Sequence, residues 1–580
     1  MALTTTMVIG LGLLIYVVLY LTYGRKLERE IVKADPNRET PAKRLYDGVD
    51  YVPADRPVLF GHHFASIAGA APIVGPVMAM AWGWLMGLAW IWLGNVLLGA
   101  VHDYLSLMAS VRYDGRSIQW ISGKVMSRRT SLTFQVFIYF VLILVVAAFA
   151  AVITSIFVKT PQVATASILF IVSALVVGFL MYRIRIGMTP STAVGLVLLV
   201  VSIWLGFQYP LSLTANQWYG VLFVYIIIAA SLPVWILLQP RDYLNAWILW
   251  FGLLAGGIAF LLVNKEITWP AYTMFSATVV GGKPSPFWPV IPLVIACGSL
   301  SGFHSIVASG TTSKQLASEL HGLTIGYGGM LTEGFLSTLV VTSIAAYGMS
   351  LLSQAASKLA EAGIEVAKLS DPTYMGTTYV AAMLKSFGKV GIFAQSYGMG
   401  WQDAFGVDVT VGTVFAGLWV SAFALTTLDT TNRLARFTWS EIMAEVVKDE
   451  STRNMLSNRW IASVVAAVIG IGLAATGNWT IIWPAFGGAN QMLAAIALMT
   501  AGLWVRNVLA VKGVMRYLVL APALFLWLTV TLAYIWFIVV VVPSPPVFTI
   551  VAIELLLALM LLYEFGKAVR TEAPEVAPAA

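Results

Sequence analysis

Residues 61–76 read GHHFASIAGAAPIVGP, and this stretch decides the architecture of the chain. It begins an apolar segment at 62–80 that is long enough to cross a membrane, yet two glycines and two prolines interrupt the segment at 69–76. In lipid, backbone groups freed in this way survive only where they are buried in protein or line a cavity. The stretch predicts an unwound helix whose free backbone groups bind substrate, and the alternative is a proline-kinked helix packed closely on a neighbour. The candidate substrate-binding residues here are Gly69, Ala70, Ala71, Pro72 and Gly75.

The composition places the whole chain in a membrane. Apolar residues make up 59% of the 580 residues and charged residues only 11%, whereas an ordinary globular chain has roughly 25% charged residues. Apolar stretches long enough to cross a bilayer recur along the chain without the alternation of an outer-membrane barrel. The sequence therefore predicts an all-α polytopic membrane protein with about fifteen transmembrane helices. The predicted spans are 4–23, 62–80, 85–110, 132–157, 163–181, 191–208, 218–238, 246–263, 288–309, 328–349, 409–428, 460–476, 481–504, 517–540 and 545–566.

Basic residues in the loops between these spans predict the orientation. Every second loop carries Lys or Arg, from eight in residues 25–56 to Lys567 and Arg570 after the last span, and the intervening loops are poor in both apart from 264–287 and 350–408. Such loops stay in the cytoplasm. The first span has no Lys or Arg before it, unlike a cleavable signal peptide. We therefore expect a bacterial cytoplasmic (inner) membrane protein with its N-terminus outside, its C-terminus in the cytoplasm and a disordered tail at 571–580.

A second interrupted span predicts an inverted repeat. The seventh span, 218–238, contains Ser231 and Pro233 and runs in the opposite direction to the second span. Two oppositely oriented broken helices five spans apart are typical of transporters built from inverted five-helix repeats, with substrate bound where the breaks meet. Ser231 and Pro233 are therefore candidate substrate-binding residues. The predicted division is 1–61 for the N-terminal helix and basic segment, 62–217 and 218–440 for the two repeats, and 441–580 for accessory helices and tail. The second repeat includes a long outer loop at 350–408 with one short interfacial or re-entrant helix at 377–387.

The ninth span is unusually polar and reads ACGSLSGFHSIVASGTT over residues 296–312. Hydroxyl groups on such a helix bind substrate or complete a sodium site, and the alternative is hydrogen bonding between helices. The candidate substrate-binding residues are Ser301 and His304, and the candidate ion-coupling residues are Ser305, Ser309, Thr311 and Thr312.

Ionisable residues within spans are costly in lipid and indicate function. Histidine titrates near neutral pH, so His63 and the pair His102 and Asp103 are candidate ion-coupling residues and favour proton coupling. The alternative for His62 and His63 is a pair at the membrane–water interface with no role in ion coupling. The other intramembrane candidates are His304, Glu333, Asp429 and Glu554.

Charged residues near the predicted cytoplasmic ends are candidates for a gate. Arg241 either binds a substrate carboxylate or forms a gate ion pair with an acidic residue. Asp429 is spaced to pair with Arg433 one helical turn later. The candidate gating residues are Arg241, Asp242, Asp429 and Arg433.

Several function classes lack their motifs. The single cysteine, Cys297, excludes an intramolecular disulfide. The chain has no HExxH motif and no P-loop, so we expect neither an enzyme, a bound metal or cofactor, nor ATP-driven transport. The net charge of +7 comes from loops rather than a basic surface for nucleic acid. The expected partners are a small-molecule substrate, a coupling ion and membrane lipid.

Longer motifs resemble the carbon starvation protein family of bacterial peptide and pyruvate transporters. The resemblance covers nearly the whole chain. Its motifs are DYVP at 50–53, VLFGHHFASIAGAAPIVGP at 58–76, GAVHD at 99–103, QPRDYL at 239–244, GSLSGFHSIVASGTT at 298–312, TTLDTTNRLAR at 426–436 and WPAFGGANQMLA at 483–494.

This resemblance implies a secondary carrier of the amino acid–polyamine–organocation superfamily, with a leucine-transporter-like five-plus-five inverted repeat and extra C-terminal helices. It implies uptake of peptides during carbon starvation, with proton symport as the expected coupling. The alternatives are a pyruvate/proton symporter, or a nutrient sensor or channel with the same fold.

Overall fold

Helices form most of the described chain, because a segment surrounded by lipid must satisfy its backbone hydrogen bonds within itself. The computed structural model describes residues 3–48, 50–232 and 236–570, so Pro233 and the tail predicted at 571–580 lie outside the described residues. The helices of the first half are α1 Thr5–Leu19, α2 Pro41–Arg44, α3 Arg56–Ile67, α4 Ala71–Ala79, α5 Trp84–Gly94, α6 Ala100–Arg112, α7 Ile118–Val125, α8 Arg128–Lys159, α9 Pro161–Phe179, α10 Met188–Gln208, α11 Ala215–Ser231 and α12 Leu238–Val263.

A short antiparallel hairpin of β1 (Ser276–Thr278) and β2 (Pro284–Pro286) precedes the second half. The helices that follow are α13 Phe287–Val294, α14 Phe303–Gly310, α15 Gly328–Gln354, α16 Ala356–Ala360, α17 Pro372–Ser386, α18 Gly391–Phe405, α19 Val409–Val446, α20 Glu450–Leu456, α21 Arg459–Ala475, α22 Trp479–Leu503, α23 Tyr517–Trp536 and α24 Pro545–Arg570.

The number of membrane-spanning helices is smaller by length and composition than the predicted fifteen. Among the described residues, eleven helices are long and apolar enough to cross a membrane, or up to thirteen if each of two bent helix pairs is one span. The predicted span 218–238 becomes the shorter helix α11, and 288–309 becomes the two short helices α13 and α14. Hydropathy predicted these segments as membrane spans because it averages over side chains. It does not detect where the backbone leaves the helix.

The outer loop predicted at 350–408 contains more helix than expected. The helix expected at 377–387 is longer, Pro372–Ser386, and a second helix, α18, follows it and packs against α12, α15 and α19. Glycines allow this close packing, because a Cβ atom at Gly400 would lie 2.6 Å from the Phe260 ring. The glycines and polar residues of α18 lower its mean hydropathy, so hydropathy alone does not predict it as a membrane span.

The most deeply buried helices lie at the centre of the bundle. We compare the share of buried residues in the most apolar 18 residues of each candidate span. This share is 94% in Trp479–Val508 and 89% in Arg128–Lys159, against 28% in Thr189–Gln208. The helices α8 and α22 therefore form the core, with α19 packed against α8, whereas α10 lies at the periphery.

The N-terminal segment that follows α1 is tied to the bundle by a buried carboxylate. Arg112 on α6 donates from Nε to Glu319 Oε1 at 2.7 Å, and Arg38 donates to Glu319 Oε2 at 3.0 Å. The side chain of Glu319 is buried, and such charge-assisted bonds are the stronger kind. They hold the basic segment against the ends of α6 and of the loop before α15.

Candidate functional site: two broken helices and a buried histidine–carboxylate network

The first break lies between α3 and α4, where residues 68–70 interrupt the helix and the two halves are bent by 51°. Pro72 stands in the first turn of α4, where its missing N–H leaves no hydrogen bond unmade. A Cβ atom at Gly69 would lie 2.8 Å from both the Phe149 ring and the Thr427 hydroxyl. Position 69 therefore accommodates glycine alone unless its neighbours move.

The second break lies between α13 and α14, where residues 295–302 are not helical. Gly298 has a φ of 82°, a conformation that L side chains rarely adopt, and a Cβ atom there would overlap the Ser337 hydroxyl. No proline lies at this break. A glycine in a left-handed conformation and several serines free the backbone instead.

The two breaks face each other. A Cβ atom at Gly75 would lie 2.8 Å from the Val294 carbonyl oxygen, and the Ser337 hydroxyl donates to the Pro72 carbonyl at 2.7 Å. The helix α13 packs against α4, and α14 packs against α3. The two broken helices therefore run in opposite directions, and their interruptions lie at the same level. The predicted substrate-binding residues Ala70 and Ala71 are buried at this junction.

Of the two residues predicted to form the second break in 218–238, Ser231 does not lie at the first break, and Pro233 lies outside the described residues. The partner of the first break is 287–310, which the sequence placed seven spans later rather than five. Ser231 lies elsewhere, with its hydroxyl 3.4 Å from the Arg459 carbonyl oxygen and 3.3 Å from the Ser463 hydroxyl of α21. Proline does not distinguish the two segments, because Pro289 and Pro292 lie in α13 shortly before 295–302; the distinguishing residue is Gly298 with its positive φ. The division of the chain at 217/218 stays a prediction that the breaks do not support.

Amide side chains replace the lost helical hydrogen bonds at the second break. Asn490 of α22 donates to the Ala296 carbonyl at 2.6 Å and accepts from the Phe303 N–H at 2.9 Å. Gln491 donates to the carbonyls of Ile295 and Leu300 at 3.2 and 2.7 Å. Buried backbone groups need such partners. The motif at 483–494 therefore stabilises the unwound backbone.

Two further donors complete this support. Trp483 donates from its indole nitrogen to the Val294 carbonyl at 3.0 Å. Asn95 donates to the Gly298 carbonyl at 2.8 Å and to the Met330 carbonyl at 2.7 Å. Asn95 lies in a π-helical turn between α5 and α6, a feature frequent at functional sites.

A network of histidines and carboxylates lies beside the second break. His102 and His304 place their Nδ1 atoms 2.8 Å from the two carboxylate oxygens of Asp103. The other ring nitrogen of His304 lies 3.5 Å from Glu333 Oε2. All four side chains are fully buried. The network connects α6 to α15 through the first turn of α14.

Cys297 belongs to this network, which the sequence did not indicate. Its sulfur lies 3.0 Å from Glu333 Oε1 and 3.3 Å from His304 Nε2. The three side chains offer ligand atoms that could hold a metal ion, whereas we expected no metal ligands. In this structure they are joined directly by hydrogen bonds. The position of Cys297 inside the break, one residue before Gly298, was the available signal.

The remaining predicted ion-coupling residues divide into two groups. His63 on α3 lies 2.8 Å from the Thr312 hydroxyl, so these two residues join the two broken helices. Ser305, Ser309 and Thr311 instead donate to backbone carbonyls three or four residues earlier. Ser301 exchanges hydrogen bonds with Asn490 within the second break.

Three of the four predicted gating residues, Arg241, Asp242 and Asp429, form a separate buried cluster. Arg241 forms an ion pair with Asp429 on α19, and it lies 3.3 Å from Asp242 Oδ1. Tyr225 donates to Asp429 at 3.0 Å. The expected pairing of Asp429 with Arg433 is wrong. The Arg433 side chain points to α11 instead, where it donates to the backbone carbonyls of Ala229 and Leu232.

The chain is similar to known membrane transporters. Residues 4–533 match the family model described as Carbon starvation protein CstA. The Peptide transporter CstA of Escherichia coli is 32% identical over 547 residues, which cover 84% of this chain and 74% of that protein. The Pyruvate/proton symporter BtsT of Escherichia coli is 30% identical, with coverage of 84% and 75%. Both relatives are named as transporters, in agreement with the prediction that the chain is not an enzyme.

A solved structure, the Eremococcus coleocola manganese transporter, is similar over 90% of this chain and 98% of that one. Its identity to this chain is 12% and the TM-score is 0.42. Such a score does not establish a shared arrangement of helices, so the leucine-transporter-like repeat stays a prediction.

Proposed function

The chain belongs to the carbon starvation protein CstA family, and on that premise we propose that it is a secondary active transporter that takes up peptides by proton symport. The names of the relatives support this substrate class and this coupling ion. We also propose the bacterial cytoplasmic membrane as its location, with the N-terminus outside and the C-terminus in the cytoplasm.

The observation that carries the proposal is the buried network of Asp103, His304 and Glu333 beside the second break. With both carboxyl groups ionised and both histidines neutral, this region would hold two negative charges without a cationic partner. Buried charge of that kind is strongly unfavourable in a membrane protein. Binding a proton, either on a carboxyl group or on His304, reduces that charge. The network must gain a proton before a conformational change buries it. Proton binding is thereby coupled to that conformational change.

The half-helices supply the complementary surface for substrate. The N-terminal ends of α4 and α14 both face the junction, and the partial positive charge of helix N-termini favours an anionic group. The C-terminal ends of α3 and α13 face the same place with partial negative charge. The carboxylate of a zwitterionic peptide suits the positive helix ends. Its ammonium group and the coupling proton suit the negative ones.

Pyruvate uptake is the second candidate function. The close contacts at Gly75 and Gly298 leave little space between the breaks in this conformation. A small carboxylate needs less rearrangement than a dipeptide to occupy the junction. The pyruvate/proton symporter among the relatives supports the same substrate.

The test is uptake into proteoliposomes of the purified protein. Labelled dialanine and labelled pyruvate are supplied under an inward proton gradient, an inward sodium gradient or neither. We expect accumulation of dialanine that follows the proton gradient and is abolished by a protonophore. Accumulation that depends on sodium and resists the protonophore would contradict proton coupling.

Counterflow distinguishes a carrier from a channel or a sensor. In counterflow, unlabelled substrate inside the vesicles drives the entry of labelled substrate from outside. A carrier shows this exchange because each conformational cycle moves bound substrate, whereas a channel or a sensor does not. Lack of counterflow for both dialanine and pyruvate would exclude the proposed transport of these substrates.

A further inference from the structure

Among the residues that the structure describes, Lys389 has no acidic partner although it is partly buried. It lies on the linker between α17 and α18, directly after the turn at Gly388, whose φ is 74°. Its ammonium group donates to the Ala151 carbonyl of α8 at 2.6 Å and stands 5.1 Å from the centre of the Trp479 ring. Burial lowers the pKa of Lys389 to about 7. An ammonium group in this setting gains more from a nearby anion than a fully hydrated one does.

Two further lysines lie at the same place. Lys159, at the end of α8, donates to the Lys385 carbonyl at 3.3 Å, and the side chain of Lys385 is exposed. Within residues 3–48, 50–232 and 236–570, none of these three ammonium groups has a carboxylate oxygen within 4.0 Å. The linker therefore presents a local excess of positive charge.

Aromatic rings connect Lys389 to the first break. Trp479, which is beneath the ammonium group, contacts Trp483 at 5.6 Å between ring centres. Trp483 contacts Phe486 at 5.3 Å, and Phe486 contacts Phe149 at 5.8 Å. The Phe149 ring packs on Gly69. We call these four rings the aromatic column, and it leads from the lysine to the junction of the broken helices.

We propose that Lys389 is a capture site for the carboxylate group of the transported substrate, separated by the aromatic column from the junction of the two breaks. This inference rests on the proposed transport function and adds to it a residue that recognises substrate before the helices rearrange. The orientation proposed above places the lysine on the outer side, where substrate arrives.

Electrostatics favours capture at this position. An attractive charge at the mouth of a path raises the local concentration of an anionic ligand, and the effect weakens with salt. The ammonium group already contacts the Trp479 face, a favourable cation–π arrangement that fixes its position. A bound carboxylate would supply the missing counter-ion without displacing that contact.

The experiment measures initial rates of labelled pyruvate and dialanine uptake in proteoliposomes of the full chain. Lys389→Ala should raise KM for both substrates by about tenfold, the effect of one lost interaction of moderate strength, with Vmax within about twofold of wild type. Lys389→Arg should keep a near-normal KM because the charge remains. The matched control is Lys358→Ala, which removes an exposed lysine on α16, outside this group of three lysines, and should leave KM unchanged.

A binding measurement that does not depend on transport accompanies these rates. Pyruvate and dialanine are each added to detergent-purified protein, and the shift of the thermal unfolding midpoint is recorded. Wild type and Lys389→Arg should be stabilised, whereas Lys389→Ala should show a much smaller shift and an unchanged midpoint without ligand. Dialanine with an amidated C-terminus should not distinguish Lys389→Ala from wild type.

The outcomes separate this inference from the proposed function. Stabilisation that depends on Lys389 in a protein without uptake would support capture and contradict transport. A wild-type KM in Lys389→Ala, an equal rise of KM in Lys358→Ala, or no stabilisation of wild type by either ligand would overturn the capture site.

Discussion

Asp103 is the residue on which the proposed coupling depends most directly. Each of its two carboxylate oxygens faces a histidine at 2.8 Å, so a proton added to this carboxyl group would reverse or break at least one of these hydrogen bonds. Protonation would therefore change how α6 is held to α14. A proton bound here alters both the buried charge and the contact between two helices.

The Asp103→Asn substitution tests this role because it keeps the shape and removes the titratable oxygen. We expect proton-driven accumulation to fall by at least about tenfold, as for one charge-assisted hydrogen bond of ~1.5–3 kcal/mol. Counterflow at equal pH on both sides should persist, because exchange needs no net proton movement. The control is Glu450→Gln, an exposed carboxylate on α20. Normal proton-driven accumulation in Asp103→Asn would remove Asp103 from the coupling mechanism.

Gly69→Leu tests the first break. A side chain there would collide with Phe149 and Thr427, and overpacking of this kind costs about 1–3 kcal/mol or more. We expect uptake to be abolished, with the protein still inserted in the membrane at near-normal amounts. Gly220→Leu is the control, since nothing lies within 4 Å of a Cβ atom at Gly220. Unchanged uptake in Gly69→Leu, measured with the amount of membrane protein, would contradict a role for this break.

The sequence predicted the polar residues of the site better than their partners. Asp103, His102 and His304 were identifiable because charge within an apolar span is costly. The pairing of Asp103 with His304 joins positions about 200 residues apart, and no local pattern encodes such a contact. Cys297 was overlooked because an isolated cysteine is ambiguous until its neighbours are known.

At the scale of elements, α22 is the helix that holds the second break in place. Its Asn490 and Gln491 side chains contact the backbone of 295–303 on both sides of Gly298. The predicted division assigned this helix to the accessory region. Its contacts instead make it part of the proposed transport site.

Asn490→Leu tests this support with a side chain of similar volume. The substitution leaves the Ala296 carbonyl and the Phe303 N–H unpaired, at about 1–3 kcal/mol for each buried group. We expect a lower thermal unfolding midpoint and little uptake. The control on the same helix is Thr500→Val, because within the described part of the chain the Thr500 hydroxyl bonds only to the Ile496 carbonyl of its own helix. Equal midpoints for the two variants would show that α22 does not stabilise the break.

Hydropathy predicted the long spans well because the thickness of the bilayer sets their length. It failed where backbone geometry matters more than side-chain polarity. The segment 288–309 is apolar enough to resemble one span, and only the structure shows that 295–302 is not helical. The failure at α18 is the reverse, since glycines make a buried helix appear too polar.

The whole molecule has a proposed orientation that its loop charges predict. Loops rich in Lys and Arg alternate with poorer loops along the chain. An error in the overall orientation would therefore place every loop on the opposite side of the membrane. Cys297 is the single cysteine and is buried. A cysteine introduced at an exposed position is therefore the only one that a bulky reagent reaches readily, and wild type serves as the unlabelled control.

The orientation is tested with Glu361→Cys and Glu450→Cys, two exposed positions that we expect on opposite sides of the membrane. A membrane-impermeant maleimide should label Glu361→Cys in intact cells, because residue 361 lies in the region that contains α17 and α18. Glu450→Cys should be labelled only after permeabilisation, because it lies among the basic residues after α19. The reverse pattern would place the C-terminus outside. It would also move Lys389 to the cytoplasmic side, where a capture site would serve export rather than uptake.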